Sequence, residues 1–140
     1  MNIISPDCIL SDNERADILF SGDIIIYRSI QPMLALINYS DELLKQYLNG
    51  LDPVTAQNHL SPEAFLDCMG QVQTVFRNSQ APKDLFFDAL QACGVDLAHT
   101  YYDHFPMRIV PFDNTHNGAH RAAIGHHRDT WGSNIYHQLN

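Results

Sequence analysis

The residues best suited to chemistry lie late in the sequence, in Gly125-His126-His127-Arg128-Asp129-Thr130-Trp131-Gly132-Ser133-Asn134. His127 and Asp129 are two apart, and in an extended segment alternate side chains project to the same side. One imidazole and one carboxylate can therefore reach a single divalent cation. That H-x-D spacing is half of the two-histidine, one-carboxylate set that holds Fe(II) with positions open for oxygen and a co-substrate. His126 is the fallback ligand, but only His127 has the carboxylate two residues on. A second histidine much further along would complete the set, and a sequence of 140 residues leaves no room for it.

Two competing patterns fall in the same region. Seven of the eight histidines lie between residues 99 and 137, and His116 and His120 have the i, i+4 spacing that suits zinc on a helix. Asn117-Gly118, a turn pair, sits between them, and the glutamate of H-E-x-x-H is missing. The string His127-Arg128-Asp129 with Asn134 also fits the catalytic-loop template of protein kinases. Nothing upstream resembles a phosphate-binding glycine loop, and Lys45 falls in the middle of an expected helix rather than on a strand. The metal pair His127 and Asp129 is therefore the assignment, and no residue is given a catalytic role.

The elements that must position this pair are legible in outline. With 45% hydrophobic and 17% charged residues, the 140-residue chain reads as one globular domain, residues 1–140. Its net charge of −8 argues against nucleic acid or an anionic membrane as partner, since both select clustered Lys and Arg. Cys8, Cys68 and Cys93 are odd in number and far apart, which fits a reducing, cytoplasmic setting better than a disulfide framework. The N-terminus has neither the basic nor the apolar part of a signal peptide, and no apolar run approaches the ~20 residues needed to span a bilayer.

Ser11-x-x-Glu14 is a capping box opening one or two helical turns that end at Leu19-Phe20. Gly22-Asp23 punctuates, and Ile24-Ile25-Ile26-Tyr27 is expected as a short buried strand. A helix is expected from Pro32 to Asn49, with Met33, Leu36, Ile37, Leu44, Tyr47 and Leu48 at helical spacing and Gly50 as the stop. Ser61-Pro62 opens a second, on which Phe65, Met69, Val72 and Phe76 form one stripe. A third runs from about Pro82 to Cys93 and stops at Gly94. From Asp96 helical periodicity gives way to aromatic clustering and then to Pro106-Met107-Arg108-Ile109-Val110-Pro111, expected as a proline-bounded strand. Residues 113–118 read as loop, and Ser133, Ile135, His137 and Leu139 share one face of a last strand. The result is an α+β unit, helices first and strands last.

Several of these segments carry a resemblance. Thr100 to Pro111, Gly118-Ala119-His120, His127 to Asn134 and Gln138-Leu139-Asn140 resemble Fe(II)/2-oxoglutarate dioxygenase-like proteins related to the phytanoyl-CoA dioxygenases. Gly22 to Tyr27 is similar to their entry strand, so the resemblance covers most of the chain, with H-R-D-T-W as its specific part. It implies a double-stranded β-helix (jelly roll) preceded by helices, hydroxylation-type chemistry, Fe(II) and 2-oxoglutarate as cofactors, and His127 and Asp129 as two of three iron ligands. The small-molecule substrate is not legible. The family's distal histidine and the arginine that grips 2-oxoglutarate belong to later strands, so the sequence is expected to be an N-terminal portion, its jelly roll incomplete and inactive by itself. A strand that begins such a sheet without its neighbours exposes unpaired N–H and C=O groups, and self-association through that edge is expected. The alternative reading is a non-catalytic binding module or a truncated product without a function of its own.

Overall fold

The computed structural model describes residues 1–102 and 105–109, and their architecture is α+β. In chain order the elements are β1 (Ile3–Ile4), α1 (Asp12–Phe20), β2 (Ile24–Ile25), α2 (Gln31–Tyr47), α3 (Pro62–Asn78) and α4 (Ala81–Ala92). Short 3-10 turns occupy Ala56–Asn58 and Leu97–His99.

Helix α1 starts where the capping box places it. The Ser11 hydroxyl accepts from the Glu14 backbone N–H, and the Glu14 carboxylate accepts from the Ser11 backbone N–H at 2.8 Å. Those reciprocal bonds satisfy two donors that a helix start leaves orphaned. At the other end Gly22 takes φ +85°, its N–H reaching Leu19 O while Asp23 N–H reaches Ile18 O. This is the paired closure that a left-handed residue after a helix permits. The same closure ends α4: Gly94 (φ +82°) donates to Gln91 O and Val95 to Leu90 O. In α2 the expected Gly50 (φ 81°) shares the turn with Asn49 before it (φ 53°), and the Gly50 N–H reaches Lys45 O.

Helices α2, α3 and α4 form the body of the molecule, with α2 packed on both of the others. The stripe expected on α3 is the stripe observed: Phe65, Met69, Val72 and Phe76 are all buried, joined by Leu36, Leu43, Leu48 and Ala56. On α2 the buried line is Leu36 and Leu43, flanked by Tyr39, Leu44 and Tyr47, whereas Ile37 is 55% exposed and Met33 lies at the surface. Helical spacing allowed both lines, and the positions of α3 and α4 select one.

Two expectations for strands are corrected. Ile24-Ile25-Ile26-Tyr27 does enter a strand, but one of two residues, paired in parallel with β1 (Ile3 with Ile24, Ile4 with Ile25). It is not buried, since Ile24 is 42% and Ile26 39% exposed. Asp23 steadies this small sheet by accepting from the Asn2 backbone N–H at 2.6 Å, and that bond holds its carboxyl below the ordinary range. The other correction concerns the strand expected from Pro106 to Pro111. Its described part, with Phe105 before it, alternates as a strand should but pairs with none of the described residues, and Val110 and Pro111 lie outside them. Phe105, Met107 and Ile109 pack against the helical core while Pro106 and Arg108 are exposed. The Gln73 side-chain amide donates to Met107 O at 3.2 Å, so this backbone is tied to a helix rather than to a ladder. Both described strands precede α2, and the strand expected at 133–139 lies outside the described residues.

Truncating Phe76 to Ala should cost about 3–5 kcal/mol, since the side chain is buried and its ring meets Tyr39 and Phe105. Ile37→Ala should change stability by no more than about 0.5 kcal/mol, as expected for an exposed site. Urea unfolding of the two variants checks the assignment of the buried line, and equal losses would contradict it.

Candidate functional site

The described structure carries the chain to the edge of the candidate metal segment. Phe105 stacks on Phe86 of α4, with ring centroids 4.5 Å apart and planes 23° apart, and its other neighbour is Phe76 of α3 at 5.3 Å. Such aromatic pairs add about 0.5–1.5 kcal/mol beyond the area they bury. Together with the bond from Gln73 to Met107, they fix where the chain leaves the helices. His127 and Asp129, with His116, His120 and His126, lie outside the described residues. So do the loop expected at 113–118 and the strand expected at 133–139.

Among the described residues no group of three or more His, Cys, Asp or Glu is placed to hold a metal ion. One shallow depression of about 390 Å³ lies between Tyr47 of α2 and the Asp67, Gln71 and Thr74 face of α3. Its charged group, Asp67, accepts from the Gln71 side-chain amide at 2.8 Å, so its lining converges on no set of titratable groups. Also among the described residues, no helix is long and apolar enough to cross a membrane.

Two polar arrangements were not singled out in the sequence. The first is Arg15, buried on α1 at 5% exposure. Its guanidinium donates to Leu10 O (3.2 Å), Cys93 O (3.1 Å) and Gly94 O (3.0 Å), and it is ion-paired with Asp12. The carbonyls of Cys93 and Gly94 close α4, where intrahelical donors have run out and the helix dipole favours a cation. Nothing in the sequence distinguishes this arginine from one on a solvated face. Cys93 beside it is free, and burial pushes its thiol up against the opposing pull of Arg15. A thiol held protonated packs rather than reacts.

The second arrangement is the pair Asp96 and His99, whose i, i+3 spacing is the one signal that could have found it. His99 Nδ1 and Asp96 Oδ2 are 2.6 Å apart, and Asp96 also accepts from the Ala98 backbone N–H. The shared hydrogen bond raises the His99 pKa, with the Asp96 charge and, more weakly, that of Asp12 adding to it. It lowers that of Asp96 in turn, helped by the Ala98 N–H. The His99 side chain is 84% exposed, so the pair orders the turn after α4 and encloses no site.

No protein-family model, curated protein or solved structure matches the chain.

The Asp96–His99 pair predicts a pH window. Asp96, whose pKa is depressed on folding, contributes above the ordinary carboxylate range, and its share is lost as pH falls through the depressed value. His99, whose pKa is raised, contributes below the ordinary imidazole range, and its share is lost as pH rises through the raised value. The turn should therefore be best ordered between about pH 4 and about pH 6.5. An NMR titration of His99 should show its pKa drop toward that of a free imidazole in Asp96→Asn. An unchanged titration would mean the pair does not persist in solution.

Proposed function

We propose that this chain is the N-terminal part of an iron- and 2-oxoglutarate-dependent oxygenase-like domain, in which His127 and Asp129 supply two ligands to Fe(II). The observation that carries the reading is the string His127-Arg128-Asp129-Thr130-Trp131 with the similar segments around it. The donor set suits the ion: a neutral imidazole and a carboxylate are the borderline and hard ligands that Fe(II) accepts in open, oxygen-binding sites. Bound there, the metal would supply oxygen activation for hydroxylation-type chemistry on a small molecule whose identity the sequence does not give.

The entry strand that the resemblance implies corresponds to Gly22 to Tyr27, of which Ile24–Ile25 forms β2. Phe105, Met107 and Ile109 lie in a period-2 segment that precedes the metal-bearing residues in the chain and packs against the helical core. An unpaired edge of the strand expected at 133–139 is the route by which the 140-residue chain would self-associate. The three free cysteines fit a cytoplasmic setting.

With two protein ligands, the 140-residue chain should bind Fe(II), Co(II) or Ni(II) weakly, and His127→Ala should remove most of that binding. Anaerobic metal titration decides this: binding that survives His127→Ala and Asp129→Ala but fails in His116→Ala/His120→Ala contradicts the assignment. Given iron, ascorbate and 2-oxoglutarate, the chain alone should yield no succinate above a metal-only control. Turnover that Asp129→Ala abolishes would show that the site is completed by other groups.

A further inference from the structure

Extensive packing between elements falls into two sets. Among the described residues, one is β1, α1 and β2 and the other is α2, α3 and α4, with no element of the first packed extensively on the second. Within the first set the bonds are its own: Ile24 N–H to Asn2 O at 2.9 Å, Ile26 N–H to Ile4 O at 2.8 Å, and Asp23 to Asn2. Among residues 1–30 a single one, Arg15, is buried. Ile3 and Phe20 are 66% and 67% exposed, so little apolar area on the N-terminal set is removed from water.

What joins the sets is local: the Arg15 guanidinium, and the Ile9 side chain, which an added Cβ at Gly94 would meet. The Arg15 guanidinium spans from Leu10 O, in the N-terminal set, to Cys93 O and Gly94 O at the end of α4. Beside it the chain passes so close to Gly94 that an added Cβ would meet Leu10 O at 2.6 Å. On the covalent side the sets are joined through Arg28 to Ile30, where Ser29 takes φ 55°, a left-handed backbone uncommon outside glycine.

We propose that β1–α1–β2 is an arm that undocks from the helical body as one unit, with Arg15 as the clasp that sets its docked population. A rigid fork with several donors suits this role, because removing it takes a donor from three part-buried carbonyls at once. An interface built on buried apolar area would lose its hold a little at a time. A clasp made by one side chain gives two discrete arrangements.

Native-state hydrogen exchange on the full 140-residue chain tests this. The amides of Ile24, Ile26 and Leu19 should share one opening equilibrium, more accessible than that of Val72 and Phe76 in α3. Arg15→Met should raise exchange of the first set by about tenfold or more and leave the second unchanged. Arg15→Lys, with one ammonium in place of the fork, should fall between. Where Arg15→Met does not fold, the wild-type measurement decides alone. Exchange of both sets through a single opening would show one cooperative body and overturn the proposal. So would independent fraying of Leu19, Ile24 and Ile26, or arm amides indifferent to Arg15.

Discussion

Phe76 is the contact on which the rest of the described structure depends. From α3 it faces Tyr39 of α2 on one side and Phe105 on the other, with Phe86 of α4 stacked beyond. Three helices and the extended segment after them thus meet around one ring. Burial of this kind supplies the driving force of folding in proportion to apolar area, and the aromatic geometry adds direction to it. In the segment from Phe105 to Ile109 the alternate side chains are taken up by the helices and the Met107 carbonyl by Gln73.

The N-terminal region is organised on the opposite principle. Its local bonds are well made, with a complete capping box on α1 and a clamped Asp23 at the sheet, yet its isoleucines remain largely in water. Attachment falls to Arg15, a charge buried because it closes the end of α4 and is paired with Asp12. Gly94 serves the same junction twice, by its positive φ and by the room it leaves for Ile9 and Leu10.

What the sequence conveyed follows from how local each cause is. The Ser11–Glu14 box, the Ser61-Pro62 start and the turn at Gly94 are set by neighbours in the chain, and each lies where it was expected. The α3 stripe was legible because one face alone is apolar. On α2, apolar residues lie around more than one face, so Ile37 and Leu43 could exchange roles until α3 and α4 were in place. Ile24 to Tyr27 carries a strand's composition, but composition does not say how much of the strand finds a partner, and only Ile24–Ile25 does. Arg15 was illegible because two of its acceptors, the Cys93 and Gly94 carbonyls, are 78 and 79 residues away, and carbonyls leave no mark on sequence. Of the candidate site, the donor types and spacing at His127 and Asp129 are all that was read, and both lie outside the described residues.

The functional account stands on that pair. Mn(II), added in small substoichiometric amounts to isotopically labelled chain, broadens the NMR signals of groups nearest the bound ion. Selective broadening centred on His127 and Asp129, with His116, His120, Asp96 and His99 spared, is what the account predicts. Broadening centred on His116 and His120, or on Asp96 and His99, would contradict it.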